Sequence, residues 1–234
     1  MVFIDYGLYV VKKTINIPAG ARIVGEGYPV IMGNGEVFGD MQNPTPVFKV
    51  GAESGAKGRV EFSEFIVSTK GPAAGAVLVE YNFAASDEPS GFWDFHTRVG
   101  GFAGSDFQIA QCKKVVGSPN IDEKCISAYM AVHATKQSSG LYMENTWIWT
   151  ADHDIEDPTN EQITIYSGRG ICKTVHTCQT RIPNITNRCA YAVIESTEGN
   201  FWLVGGASEH FHLYQYQFAN TKNIFGAMLQ TETP

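Results

Sequence analysis

The chain has 234 residues, of which 44% are hydrophobic and 12% aromatic, a composition typical of one globular domain with a sizeable core. Its formal net charge of -7 at pH 7 argues against nucleic acid or an acidic glycan as a partner. No apolar run approaches the roughly 20 residues that a membrane span needs, so no membrane partner is predicted.

Short β-branched runs separated by turn residues dominate the beginning of the chain. Residues 18–20 and 25–27 are turn segments rich in glycine and proline, and the runs lie at residues 8–11, 14–17, 21–24 and 30–32. No helical periodicity intervenes between them. This pattern predicts an all-β chain wound as a solenoid, rather than an α/β sheet.

Longer polar segments separate some of the predicted strands. Residues 33–46, 82–90 and 157–160 carry the glycine, proline, asparagine and aspartate of turns and excursions. In solenoids such excursions commonly build the walls of a binding face. No low-complexity linker divides the chain, so we predict a single domain over residues 1–234.

Three segments share a loose internal pattern, in which a small polar residue is followed by apolar residues two and four places later. The polar residues are Ser63, Asn145 and Asn223, at offsets of 82 and 78 that each fit about three coils. We interpret them as inward turn positions whose side chains satisfy backbone groups.

Two carboxylates near the end of the chain, Glu209 and Glu232, lie 23 positions apart. A coil of a parallel β-helix takes roughly 20 to 30 residues, and neighbouring coils are about 4.8 Å apart, so both side chains are expected to face one groove. Gln230 is expected on the same side, because the opposite parity holds Phe225, Ala227 and Leu229. Paired carboxylates of unequal pKa are what a glycosidase needs.

Several sequence motifs follow one another over nearly the whole chain. In the C-terminal part they are Ala207-Ser-Glu-His210, Leu213-Tyr-Gln-Tyr216 and Gln230-Thr-Glu-Thr-Pro234. The earlier segments are Ile23-Val-Gly-Glu26, Val30-Ile-Met-Gly33, Ser68-Thr-Lys-Gly-Pro72, Arg98-Val-Gly-Gly101, Trp149-Thr-Ala-Asp-His-Asp154 and Tyr166-Ser-Gly-Arg-Gly170. In this order the motifs resemble those of glycoside hydrolase family 55, the exo-β-1,3-glucanases.

The resemblance implies a right-handed parallel β-helix of the pectate-lyase superfamily. It implies a fragment of a secreted protein with two tandem β-helices, in which this chain is the second and a missing N-terminal β-helix is its partner. The substrate would be β-1,3-glucan, cleaved from the non-reducing end with inversion and without a cofactor. Glu232 would be the general acid, and Glu209 would position or activate the water.

Candidate substrate-binding residues surround the two glutamates. Aromatic rings stack on glucose and hydrogen-bond at their rims, and the candidates are Trp147, Trp149, Trp202, Tyr214 and Tyr216. Closeness to Glu209 favours the two tyrosines. Gln230 and His210, within the motifs, complete the predicted binding set.

The five cysteines divide into two groups. Cys112 and Cys125 resemble a family pair and are expected to form a disulfide, with two free thiols as the alternative. The other three, Cys172, Cys178 and Cys189, fall in residues 172–194, where the chain departs from the family pattern. That segment is either an inserted loop with a glycosylation sequon at Asn184 or a translated intron.

Other chemistries are weaker on the residues. Asp152 and Asp154 belong to an acidic turn that could hold Ca²⁺, His210 and His212 alternate as zinc ligands would, and Ser208 lacks a nucleophile elbow. We therefore predict no metal. A calcium-dependent pectate-lyase-type enzyme and a non-catalytic glucan-binding remnant stay as alternatives. Residues 1–11 read as strand rather than secretion signal, so extracellular location is expected only from the family.

Overall fold

The computed structural model describes residues 1–85, 87–114, 121–168 and 196–233. Short strands that pair in parallel make up nearly all of the regular structure. The first strands are β1 (Val2–Ile4), β2 (Leu8–Val11), β3 (Ile15–Ile17), β4 (Arg22–Gly25), β5 (Val30–Gly33), β6 (Thr45–Val50), β7 (Ala56–Lys57), β8 (Glu61–Ser63), β9 (Ile66–Thr69), β10 (Ala76–Tyr81) and β11 (Phe83–Ala84).

The later part of the chain continues the same pattern. Its strands are β12 (Ser90–Trp93), β13 (His96–Val99), β14 (Ile126–Ala128), β15 (Met130–Ala134), β16 (Ser139–Glu144), β17 (Trp147–Thr150), β18 (Tyr166–Ser167), β19 (Gly199–Val204), β20 (Ala207–Glu209), β21 (Ile224–Ala227) and β22 (Gln230–Glu232). The helices are α1 (Ile109–Cys112) and two 3₁₀ turns, Glu36–Phe38 and Glu123–Cys125.

The strands stack into three long sheets that run along one axis. Sheet A follows the order β1-β4-β8-β12-β16-β19-β21, with β7 and β11 as a short branch that reaches β16. Sheet B follows β2-β5-β9-β13-β17-β20-β22, and sheet C follows β3-β6-β10-β15. Successive coils add one strand to a sheet, which is the architecture of a parallel β-helix. The predicted fold class is confirmed, while its handedness and the single-domain boundaries stay predictions.

A left-handed residue marks the corner between sheets A and B in the later coils. Positive φ angles of 48 to 60° occur at Glu64, Asp94, Asn145, Gly205 and Met228, each immediately after a sheet A strand. Single residues in this conformation reverse the chain sharply, and asparagine or aspartate adopts it more readily than most side chains. The corners therefore set the angle between the two faces.

Phenylalanine rings fill the interior between the sheets. Phe62 and Phe92, register partners on β8 and β12, stack with centroids 4.6 Å apart and planes 8° apart. Phe65 and Phe95 follow on the next turn of the same two coils and lie 5.0 Å apart. All four are fully buried, so repeated inward aromatics hold neighbouring coils in register.

A short wall beside sheet B is fixed by a disulfide and a helix cap. Cys112, the last residue of α1, is bonded to Cys125, the pair expected from the family. Asp154 is buried and accepts the backbone N–H of Ile109 at the start of α1. No helix among the described residues is long and apolar enough to cross a membrane. Residues 172–194, with the other three cysteines, lie outside the described residues.

The interpretation of Ser63, Asn145 and Asn223 as equivalent inward turns is wrong. Ser63 is the last residue of β8 and pairs with Trp93, whereas Asn145 is a corner residue. Asn145 is exposed and bonds Asp94 at the corner of the preceding coil, and Asn223 bonds Asn200. Both asparagines stack between coils, but on the outside of the solenoid.

Candidate active site

The outer face of sheet B presents side chains in rows, because every second residue of each strand points away from the core. One row ends with Arg98, Trp149, Glu209 and Glu232, which follow one another on β13, β17, β20 and β22. Glu209 and Glu232 are direct register partners, so their Cα atoms are separated by about one strand spacing of 4.8 Å. The two carboxylates therefore share one outward face.

Glu209 is the inner carboxylate, with only 3% of its surface exposed. The indole N–H of Trp147 donates to its Oε2 at 2.8 Å, and the amide of Gln230 donates to its Oε1 at 2.7 Å. Both oxygens thus accept hydrogen bonds from neighbouring strands. The two N–H donors fix the orientation of the carboxylate.

Glu232 is the outer carboxylate, and 59% of its side chain is exposed. Its Oε2 lies 3.3 Å from Nε2 of His210, the residue that follows Glu209. Its exposure leaves the carboxyl accessible to a bound substrate. One glutamate is consequently held inside the face while its neighbour reaches outward from it.

The ring of His210 is buried and has partners on both sides. Its Nδ1 lies 3.0 Å from the indole nitrogen of Trp149 and 3.0 Å from the carbonyl oxygen of Thr150. The indole N–H requires an acceptor, whereas the carbonyl requires a donor, so the two contacts suit opposite tautomers. Nε2 can correspondingly donate to Glu232 in its ionised form or accept from it in its protonated form.

A cleft of about 590 Å³ opens over the two glutamates. It reaches from sheet B across the corner toward sheet A, and its lining residues are His96, Asn145, Thr146, Trp147, Gly205, Ala207, Glu209, Gln230 and Glu232. None of these described lining residues is lysine or arginine. The cleft therefore offers carboxylates, amides and an aromatic face, a set suited to a neutral polyhydroxyl ligand.

No family model matches the chain. Two relatives are similar to it over its whole length. It is 43% identical over its whole length to a protein of Arthroderma benhamiae named "Probable glucan endo-1,3-beta-glucosidase". It is 39% identical, again over its whole length, to the "Glucan 1,3-beta-glucosidase" of Cochliobolus carbonum. These two names support a family of the glycoside hydrolase 55 type, the resemblance that the sequence motifs carry.

The chain spans about a quarter of these two relatives, 24% and 26% of their lengths. A third relative is 41% identical over the whole chain, which covers 15% of it, and is named "Non-secreted LysM effector LysM15" of Penicillium expansum. The names of these relatives thus differ on endo action, and one of them does not name an enzyme.

Beside the cleft, stacked aromatic rings form an apolar hollow of about 260 Å³. Trp147 and Trp149 stack 5.0 Å apart, and the guanidinium of Arg98 lies 4.4 Å from the centroid of Trp149. Burial lowers the pKa of Arg98 to about 10, with Glu156 and Asp154 acting in the opposite direction, so it stays cationic at neutral pH. This cation–π contact supports the indole that holds His210.

His96 also lines both the cleft and the hollow, although the family motifs do not include it. Its Nδ1 accepts the backbone N–H of Trp147 at 3.0 Å, and its ring stacks on Tyr28 with centroids 5.4 Å apart. The available signal was alternation along β13, where the buried residues Thr97 and Val99 leave His96 and Arg98 on the outer face.

Of the predicted binding residues, Gln230 and His210 contact the carboxylates, whereas Tyr214 and Tyr216 do not line the cleft. Tyr216 packs against the core and lines a small cavity with Leu229. Burial raises the pKa of Tyr216, and the charge of Glu209 raises it further. The assignment of both tyrosines to substrate stays a prediction that this geometry does not favour.

The residues behind the alternative chemistries have other partners. His210 adopts a left-handed φ of 62°, which breaks the expected alternation. His212 consequently packs on Tyr166, 5.1 Å between centroids, instead of sharing a face with His210. The hydroxyl of Ser208 donates to the carbonyl of Gln215, away from His210. The zinc-pair and hydrolase-triad interpretations are not supported by these contacts.

Proposed function

We propose that this chain carries the catalytic carboxylates of a β-1,3-glucan hydrolase. The observation that carries the proposal is the register pairing of Glu209 and Glu232 in unequal surroundings on one face. Inverting glycosidases need one carboxyl group that donates a proton and a second that activates water. The family relationship favours glucan linked β-1,3, and exo action from the non-reducing end belongs to the proposal.

Glu232 acts as the general acid in this scheme. Its exposed carboxyl group can approach a glycosidic oxygen, and Nε2 of His210 contacts Oε2 of the same carboxyl group. A proton passes from Glu232 to the leaving oxygen as the bond to the anomeric carbon breaks. Nε2 of His210 can accept a hydrogen bond from the acid before this transfer or donate one to the carboxylate after it, depending on the tautomer.

Glu209 acts as the base that holds the attacking water. Trp147 and Gln230 donate to its two oxygens and fix its position, so the carboxylate has a constant geometry relative to Glu232. The water loses a proton to Glu209 as its oxygen attacks the anomeric carbon opposite the leaving group. The product has the inverted anomeric configuration.

A neutral sugar fits the cleft better than a uronate does. The described cleft lining has no lysine or arginine to bind sugar carboxylates, and the net charge of the chain is -7. This favours glucan hydrolysis over the pectate-lyase alternative. Asp154, one candidate calcium ligand, is already engaged at the start of α1.

The first experiment measures laminarin hydrolysis by the chain, with Glu232→Gln and Glu209→Gln as the test variants. Each is expected to lower kcat by about 10² to 10⁴, because each removes a proton-transfer group. Glu53→Gln, an exposed glutamate outside the cleft, is the matched control. Full activity in Glu232→Gln would exclude its role as the acid. NMR of the first product distinguishes inversion from retention.

Glucan binding without cleavage is the second candidate function. The chain covers only about a quarter of its glucosidase relatives, and another relative is named an effector. Equal laminarin binding by the chain and by Glu232→Gln, with turnover in neither, would support it. A calcium-dependent unsaturated product would instead support a lyase.

We further infer that the parent protein acts outside the cell and that an N-terminal β-helix completes the cleft. Two relatives are named glucosidases, although the third is named non-secreted. The open cleft over Glu232 is consistent with a second wall supplied by another part of a longer protein. Adding the upstream segment is expected to raise kcat/KM on laminarin.

A further inference from the structure

A row of aromatic side chains runs along the outer face of sheet A, on the adjoining side of the solenoid from the glutamates. Tyr142, Trp202 and Phe225 are successive register partners on β16, β19 and β21. The indole of Trp93, on β12, extends the row and lies 6.3 Å from the ring of Tyr142. We call these four residues the aromatic strip: Trp93, Tyr142, Trp202 and Phe225.

The ring of Trp93 lies across the sheet rather than projecting from it. A Cβ atom at Gly91, two residues earlier on the same strand, would lie 1.8 Å from the six-membered ring of Trp93. Glycine therefore leaves the space in which the indole lies over the strand. A ring held in this way presents its face to solvent, and 37% of Trp93 is exposed.

The exposure of the strip is not explained by packing within the described residues. Trp202 stands between two aromatic neighbours, yet 36% of its surface is exposed, and 55% of Phe225 is exposed. By contrast, inward residues of the same strands, Phe201 and Leu203, are buried in the core. Large apolar rings aligned on a solvent-facing sheet are typical of a binding surface.

The strip and the cleft are carried by the same coils. The coils that place Trp202 and Phe225 on sheet A place Glu209 and Glu232 on sheet B, a few residues later in the chain. Gly205, the corner residue between Trp202 and Glu209, lines the cleft. A ligand that follows the strip therefore lies around one corner from the carboxylates.

The chemistry of the strip fits an uncharged ligand. The parallel outward row on the last three sheet A strands holds Glu144, Val204 and Ala227, with no basic residue. The hydroxyl of Tyr142 donates to the carboxylate of Glu144 at 2.8 Å. This pair places hydrogen-bonding oxygens at the rim of the rings. Anionic polymers are disfavoured there, whereas the apolar face of a pyranose stacks on aromatic rings.

We propose that the aromatic strip is a second carbohydrate site, which binds a β-1,3-glucan chain outside the cleft. It holds insoluble polymer against the coils that carry the glutamates and raises the local concentration of chain ends. The identity of the sugar rests on the proposed function, but binding at the strip does not require turnover. The strip should therefore matter for polymer and not for short soluble substrate.

The experiment measures retention on insoluble β-1,3-glucan in a Glu232→Gln background, in which turnover is expected to be strongly reduced. Trp93→Ala combined with Trp202→Ala is expected to weaken retention roughly tenfold, the effect of losing two stacking rings. Trp93→Tyr combined with Trp202→Tyr should retain most binding, and Tyr6→Ala, at an exposed ring elsewhere, is the matched control. Unchanged retention in the alanine pair would overturn the proposal.

Gly91→Ala provides an independent variant that preserves all the rings of the strip. Its methyl group displaces the indole of Trp93, so retention is expected to fall while the melting temperature stays close to that of the parent. Hydrolysis of a short soluble β-1,3-oligosaccharide, measured with Glu232 intact, should be unaffected in all strip variants. An equal loss on both substrates would exclude a separate site.

Failure of the two proposals is distinguishable. Retention that depends on the strip, without hydrolysis of any glucan, would support the second site and exclude the catalytic assignment. Hydrolysis that depends on Glu232, with retention independent of the strip, would do the reverse. If sedimentation shows that the alanine pair converts a dimer to a monomer without affecting retention, the strip is a self-association surface and the proposal is wrong.

Discussion

The imidazole Nε2 of His210 lies 3.3 Å from Oε2 of Glu232, across the boundary between two neighbouring coils. Nδ1 of the same ring is held near Trp149 and Thr150, and Oδ1 of Asp152 lies 3.7 Å from it. The ring is therefore fixed from behind by an indole, a carbonyl and a carboxylate. This geometry makes His210 a positioning residue for Glu232, the proposed acid, rather than a ligand of the sugar alone.

His210→Ala is expected to lower kcat for laminarin by about ten- to a hundredfold, because Glu232 loses the group that orients its carboxyl. The value of KM should change much less. His210→Gln retains an amide that can donate to Glu232 and should recover part of the loss. His212→Ala, at the ring that packs on Tyr166, is the control. Equal kcat in the chain and in His210→Ala would contradict this role.

Trp147→Phe tests the orientation of Glu209. The substitution preserves an aromatic ring but removes the N–H that donates to Oε2 at 2.8 Å. Loss of one charge-assisted hydrogen bond is expected to lower kcat/KM roughly tenfold. Trp202→Phe, which makes the same change on sheet A, should leave hydrolysis of a short oligosaccharide unchanged. Full activity in Trp147→Phe would show that Gln230 alone suffices to fix Glu209.

The coil spacing of the two glutamates was readable from the sequence, because a parallel β-helix converts sequence separation directly into stacking. The 23-residue interval between Glu209 and Glu232 is one coil, and the structure pairs the two residues. The strands predicted from the short apolar runs at the beginning of the chain also agree closely with β2, β3, β4 and β5.

The sequence did not reveal whether other side chains point inward or outward, because the corner residues interrupt the inward–outward alternation between one strand and the next. Phe225 was expected on the inward parity with Leu229, yet it faces outward and is 55% exposed. Met228 adopts φ 53° between β21 and β22, so parity cannot be carried from one strand into the next. Nothing in the residue types marks Met228 as left-handed. For the same reason, the sequence did not distinguish Ser63, the last residue of a strand, from Asn145, a corner residue.

Contacts between coils were also beyond the sequence. Trp147 donates to Glu209 across 62 residues, a pairing that depends on the register of β17 against β20. Residue types indicate that an indole needs an acceptor, but not which carboxylate it reaches. His96 was missed for the same reason, since its partner is the backbone N–H of Trp147 on the neighbouring strand β17.

The stability of the chain is expected to fall as pH decreases below about 6.5. Burial lowers the pKa of His96 from its ordinary value of 6.5, with Asp94 acting in the opposite direction. Between the ordinary and the lowered pKa, the unfolded chain binds a proton that the folded chain does not. The unfolding free energy therefore decreases as the pH decreases through this range. One such proton contributes a slope of at most about 1.4 kcal/mol per pH unit.

The measurement is urea unfolding at several pH values between 7 and 5, for the chain and for His96→Gln. Glutamine does not titrate, and its amide oxygen can accept the backbone N–H of Trp147 in place of Nδ1. The slope of unfolding free energy against pH should therefore be smaller in the variant. A steeper or equal slope in His96→Gln would show that other groups cause the acid sensitivity.

Removal of the disulfide should destabilise the wall beside sheet B. Cys112 and Cys125 are separated by 13 positions, and closing a loop of this size stabilises the folded chain by about 3 kcal/mol in the chain-entropy account. Urea unfolding of Cys112→Ser combined with Cys125→Ser should show this loss, and reduction of the parent chain should reproduce it. Because α1 ends at Cys112 and begins at the N–H that Asp154 accepts, local proteolysis is expected to increase there first. Unfolding curves that coincide for the parent and the double serine variant would contradict a stabilising role for the bond.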